Sequence, residues 1–325
     1  MKKILFLALA AATVMSCTES EEIENAGQKA KVEFGTVVKG STRAVITTTD
    51  NFEKFTVNGY KTSEAMGTGV QLATGFMDDV VVAKSSETWG YDGTYYWPLT
   101  GNVQFFATAP AQTLNITAAG YPTFDYTVKA ATDSQEDLIA ANVIDKTKES
   151  GAIVLPFQHL LTQVNFSIKG GTPDFVYTVT KLTLKGIKNT ATFTFDGADT
   201  AGAWGTPTAT TAEYTFTGSK EVAPTTKAPD AITAFEETDK ALFMLMPQTL
   251  DGATLEITYT AAPSSKPTEY TYNDTKKLNL TGDWGMGKNI RYTLVLTNDA
   301  SPVTFGTPTI GGWGKEEAGT TEAAE

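Results

Sequence analysis

Cysteine and histidine are almost missing from this chain of 325 residues: each occurs once, as Cys17 and His159. A lone cysteine excludes an internal disulfide, so the fold must be held by its core alone. One cysteine with one histidine also excludes the usual zinc sites, which draw most of their ligands from these two residues. No Gly-x-Ser-x-Gly accompanies His159, so no nucleophilic triad is recognisable, and His159 reads as a structural histidine with a hydrogen-bond partner. No phosphate loop or dinucleotide fingerprint occurs. The acidic residues Asp78, Asp79, Asp133 and Asp137 lack the spacing of a calcium loop. The chain therefore reads as a non-enzyme without cofactor or metal. Positive charge is also scarce, with 25 Lys and Arg against 37 Asp and Glu and a net charge of −12. That balance excludes nucleic acid as a partner and fits solubility outside a cell.

Long apolar runs are absent too. The one notable run, Ile4 to Met15, falls short of the ~20 residues a membrane span needs. It follows Lys2 and Lys3 and ends at Ser16 and Cys17. A basic start, a short apolar stretch and a small residue before the cut define a secretory signal. A cysteine at the cut makes it a bacterial lipoprotein signal, residues 1–17, with lipid on Cys17. Several acyl chains on one residue are enough for stable anchoring. The segment 18–29 carries Glu19, Glu21, Glu22 and Glu24 and reads as an acidic tether.

Helical spacing is nearly absent from the rest. Only Asp133 to Ala141 offers a short helix, through Leu138 and Ala141. Elsewhere apolar residues alternate with Thr and Lys over short runs bounded by Gly and Pro, the pattern of half-buried antiparallel strands. Strands are expected at Lys31–Val38, Phe52–Tyr60, Val80–Ala83, Tyr91–Trp97, Val103–Ala107, Phe124–Val128 and Ile153–Phe157. A second series follows at Leu161–Ile168, Tyr177–Ile187, Thr190–Phe195, Glu213–Thr217, Leu242–Met246, Leu255–Tyr259, Glu269–Tyr272, Arg291–Leu296 and Thr304–Ile310. The run Gly282 to Lys288 reads as a turn. Two groups of strands imply an all-β chain of two β-sandwiches in tandem, 30–155 and 156–314. Residues 315–325 form an acidic, disordered tail. Tyr91, Tyr95, Tyr96 and Trp97 offer a stacking face for glycans, weighed against burial in the core.

Several runs together resemble the fimbrillin family of Bacteroidetes, the Mfa-like subunits of surface pili of type V. They are Phe55-Thr56-Val57-Asn58-Gly59-Tyr60, Trp89-Gly90-Tyr91 with Tyr96-Trp97-Pro98, and Val103-Gln104-Phe105-Phe106-Ala107-Thr108-Ala109-Pro110. Further on come Asp137-Leu138-Ile139-Ala140-Ala141, Leu155-Pro156-Phe157-Gln158-His159-Leu160-Leu161 and Leu245-Met246-Pro247-Gln248. Trp284 with Gly287-Lys288, Tyr292-Thr293-Leu294, and Ile310 with Trp313 complete the set. Their order carries the match from about residue 30 to residue 313, and the leader and Thr42-Arg43-Ala44 fit it as well.

The resemblance implies two transthyretin-like β-sandwich domains and a route of assembly. The lipidated precursor reaches the outer-membrane surface, an arginine-specific protease cuts between Arg43 and Ala44, and the strand bearing Val32, Phe34 and Val38 leaves with the anchor. A strand from another fimbrial subunit then fills the groove by strand addition. The implied role is a structural or accessory fimbrial subunit at the outer membrane, contributing to adhesion. The alternative is a non-polymerising surface lipoprotein that binds glycans or host proteins.

Overall fold

The computed structural model describes residues 30–38, 51–73, 75–86, 88–197, 201–208, 212–222, 232–235, 241–266, 268, 271–299, 301–305 and 309–312. Among these, regular structure is β-strand apart from two single-turn 3-10 segments, Thr132–Ser134 and Lys148–Ser150. The first eight strands are β1 (Phe34–Val38), β2 (Lys54–Thr62), β3 (Met77–Ser85), β4 (Thr88–Tyr91), β5 (Asn102–Ala109), β6 (Thr123–Thr127), β7 (Ile139–Lys146) and β8 (Ile153–His159). Seven of them form one sheet in the order β1-β8-β7-β5-β2-β3-β4. Every neighbouring pair is antiparallel except β1 and β8, which run parallel.

The centre of this sheet is buried on both faces, so β5 is buried without a break from Val103 to Thr108, Gln104 and Thr108 included. One face carries Phe55, Val57, Phe105, Ala107, Ile139, Leu155 and Phe157 into a smaller core. The other sends Tyr60, Phe106 and Ala140 into a larger core shared with the second half of the chain. Alternation along each strand sorts the two sets.

The later strands are β9 (Thr162–Gly170), β10 (Phe175–Ile187), β11 (Thr190–Phe195), β12 (Gly202–Trp204), β13 (Ala212–Val222), β14 (Ile232–Ala234), β15 (Phe243–Leu245) and β16 (Gln248–Thr249). They continue with β17 (Thr254–Pro263), β18 (Tyr272–Asn279), β19 (Asp283–Trp284), β20 (Lys288–Leu296), β21 (Thr304–Phe305) and β22 (Thr309–Gly312). Two sheets dominate: β13-β10-β17-β18, and β14-β9-β20-β21 with β15 on β9 and β22 on β20. Val164, Phe166 and Ile168 of one, and Tyr177, Val179, Ile257 and Tyr259 of the other, belong to the same large core. Strand β6, from the first half, pairs with β11 of the second over Thr123–Thr127.

Some expectations are corrected. The expected helix at Asp133–Ala141 is a single turn followed by β7, because Leu138, Ile139, Ala140 and Ala141 are all fully buried and present no polar face. The strand expected at Tyr91–Trp97 ends at Tyr91, and Gly93, at φ 88°, turns the chain away from the sheet. The strand expected at Glu269–Tyr272 starts at Tyr272 and runs on to Asn279. The run Gly282–Lys288 is a turn that holds the two-residue strand β19, with positive φ at Gly282 and Gly287. The last expected strand is two, β21 and β22.

Candidate functional site

The site is the seam where residues 30–38 lie between the β8 edge of the seven-stranded sheet and residues 95–97. Residues Lys31 to Phe34 alternate, so Val32 and Phe34 share one face and Glu33 the other. Val32 is 0% exposed and Phe34 7%, while Glu33 is exposed. The Phe34 ring sits edge-on to Phe55, Tyr91 and Phe105, at centroid distances of 6.1, 5.8 and 5.6 Å. The Lys31 ammonium lies 4.9 Å from the centre of the Tyr91 ring. The Tyr91 hydroxyl donates to the Val32 carbonyl. Burial is the main cause that pushes this phenol above its usual pKa.

The backbone of this segment is bonded on two sides. On one side the Val32 N–H donates to Tyr95 O and the Trp97 N–H to Ala30 O, both at 3.0 Å. On the other side the Ile153 N–H donates to Glu33 O at 2.7 Å. From there β1 runs in parallel register along β8, from Phe34 opposite Ile153 to Val38 opposite Phe157. Residues 30–38 therefore join the β8 edge to the 95–97 strip. Removing them would uncover Phe55, Phe105 and Trp97 and leave β8 with a row of unpaired backbone groups. Burial of Val32 and Phe34 together contributes about 3–6 kcal/mol.

The other sequence-derived residues fall in different places. Cys17, Arg43 and Ala44 lie outside the described residues, as does the side chain of Val38. His159 is a buried structural residue: its Nδ1 lies 2.9 Å from Asp137 Oδ2, and both side chains are 2% exposed. Asp79 bonds Asn58 across the register shift between β2 and β3, accepting from its amide and donating its own N–H to Asn58 Oδ1. Asp133 is exposed while Asp137 is buried, so these two do not form a pair. Among the described residues no group of three or more His, Cys, Asp or Glu is placed to hold a metal ion. The aromatic run Tyr91–Trp97 is not a stacking face. Trp97 is buried, Tyr91 and Tyr95 pack against the seam, and Tyr96 is 44% exposed.

One signal was open to sequence reading and was missed. Val32-Glu33-Phe34-Gly35-Thr36 returns near the other end of the chain as Val303-Thr304-Phe305-Gly306-Thr307. In the second copy Val303 is buried in the large core, and Phe305 packs 5.4 Å from Tyr292. Thr304 and Phe305 form β21, antiparallel to β20.

The comparisons agree with this architecture. The fimbrillin-like family pattern matches residues 42–313. The fimbrium subunit Fim1C of Phocaeicola vulgatus is 28% identical over 214 residues, which cover 57% of this chain and 56% of that protein. The alignment thus spans little more than half of that relative's length. A fimbrial protein from Bacteroides vulgatus shares the fold at a TM-score of 0.66 and 21% identity, over 86% of this chain and 99% of that one. A Bacteroides uniformis protein described as a cell adhesion protein follows at a TM-score of 0.55 and 18% identity, over 87% and 99%. With its family pattern running through both cores and past the last described strand, the chain belongs to the fimbrillin-like family.

Proposed function

We propose that this chain is a structural or accessory subunit of cell-surface fimbriae that assembles by strand exchange. In this reading it is exported as a lipoprotein on Cys17 and held at the outer membrane by the tether 18–29. Cleavage between Arg43 and Ala44 then frees it. Residues 30–155 and 156–314 act as two tandem transthyretin-like domains, with 315–325 as a tail. Membership of a fimbrillin-like family accords with a structural role and not with an enzyme.

The observation that carries the reading is the seam. Residues 30–38 are bonded along both sides, yet the other six strands of the sheet pair among themselves without them. The matched family region begins at residue 42, after this strand and next to Arg43. Cleavage would therefore remove lipid and closing strand together, leaving a groove with an open β8 edge. A strand added there gains backbone bonds from β8 and pockets for alternate side chains. The repeated Val-x-Phe-Gly-Thr offers a donor: Val303 and Phe305 of a second copy would leave its large core and its pairing with β20 to stand where Val32 and Phe34 sit. A head-to-tail contact of this kind propagates into a filament.

The experiment is Arg43→Ala in the native host. Surface-extracted variant protein is expected to remain lipidated and monomeric, while the unaltered chain yields oligomer ladders. Equal ladders from both would overturn the processing step.

A further inference from the structure

Apart from the seam, a cleft of about 500 Å³ opens in the second half of the chain. One wall is Gly202 to Pro207, which includes β12. The other is the ribbon of β16 and β19, with Lys188 and Met286 at its margins. Its lining joins a fixed aromatic plane to a few polar residues, held by Gln248 on the Lys188 backbone and by Thr249 on Asp283.

Trp204 is half-buried, and its indole N–H is spent on the Leu160 carbonyl at 2.7 Å. Phe193 and Phe124 hold the ring edge-on at 5.1 and 6.0 Å. The indole therefore offers the cleft ring carbons only, in one orientation. Gln248 is buried and grips Lys188 from both sides, accepting from its N–H and donating to its carbonyl, each at 2.9 Å. That fixes the strand end from which the exposed Lys188 side chain projects. Asp283 is exposed, and one of its carboxylate oxygens accepts from the Thr249 hydroxyl at 2.6 Å. The second oxygen is left to accept another hydroxyl.

We propose that this cleft binds a neutral pyranose of a surface glycan. A pyranose has an apolar face of C–H groups and a rim of hydroxyls, which matches a rigid indole flanked by a carboxylate, an ammonium and a threonine. Competing occupants fit less well. A purely apolar ligand would desolvate the Lys188 ammonium and the Asp283 carboxylate with no compensating bond from the ligand. An anion would meet the Asp283 carboxylate. A peptide strand would need a longer open edge than β16 and β19, two residues each, provide. The site lies on different elements from the seam, so it stands whether or not the chain polymerises.

The test is saturation-transfer NMR of the full chain against a panel of neutral mono- and disaccharides. Saturation is expected to reach the ring C–H protons of at least one sugar. Asp283→Asn keeps the acceptor for Thr249 and leaves folding intact, and it should weaken that sugar about tenfold through loss of a charge-assisted hydrogen bond. Trp204→Phe should weaken it as well, and if that variant fails to fold, Asp283→Asn decides. No saturation transfer to any sugar, or binding unchanged in Asp283→Asn, overturns the proposal.

Discussion

Phe34 is the residue on which the seam depends most. It meets three rings and is almost wholly buried, in a strand at the edge of its sheet. Phe34→Ala should destabilise the intact precursor by about 3 kcal/mol, since truncating a buried phenylalanine loses transfer energy and leaves a cavity. Urea unfolding of the first half, followed by tryptophan fluorescence, measures it. A second prediction concerns pH. Burial pushes the phenols of Tyr60 and Tyr126 up to about 12 from an ordinary 10.0. A folded-state pKa above the unfolded value means their contribution is fully present below pH 10 and is lost as pH rises through 12. Tyrosinate absorbance should show these two titrating late, together with unfolding. Both sets of residues were partly legible in the sequence. Val32 and Phe34 stand two apart on a strand whose period of two gives their face away. The partners of Phe34 lie on three separate strands, so no local pattern announces their rings.

At the level of elements, β1 is unlike its neighbours. It is the single parallel strand of its sheet, and its N-terminal extension bonds a strip that is not a regular strand. This is the geometry of a closing piece. A chain beginning at Ala44 should therefore form oligomers, and a peptide of residues 31–38 should suppress them. The same peptide with Phe34→Ala should be at least tenfold weaker, because its aromatic pocket stays unfilled. A chain beginning at Ala44 that stays monomeric would count against exchange. Size-exclusion chromatography reads the outcome. The strands that sequence reading placed well, such as β9, β11 and β20, have one apolar face and one polar face. Those it misjudged break that rule. Strand β7 opens with residues buried on both sides, so no alternation marks it. Strand β18 carries Asp274, Lys276 and Lys277 on a sheet edge, where charge protects the strand from unwanted pairing and hides it from a hydrophobic pattern. The Tyr91–Trp97 run has the aromatic content of a strand but is bent away by Gly93.

For the whole molecule, two hydrophobic cores lie on opposite faces of one sheet, and β6 ties the first half to the second by pairing with β11. Gln135 adds a further tie: it accepts from the Met244 N–H and donates to the Lys129 carbonyl. Such cross-bracing resists parting of the two halves of the chain. The all-β class was legible because alternation survives wherever a sheet has a wet face; the strand count was not, since short strands such as β12, β16 and β19 are too brief to show any alternation. The sharing of the large core was not, because residues such as Tyr60 and Phe106 meet partners far away in sequence. A net charge of −12 sets separate copies of the chain to repel one another. The central claim is that the closing strand and the anchor leave together. The most direct measurement is the mass and N-terminal sequence of the subunit extracted from assembled surface fibres. The account predicts a chain starting at Ala44 with no lipid; a polymerised subunit that still carries Cys17 and residues 31–38 would contradict it.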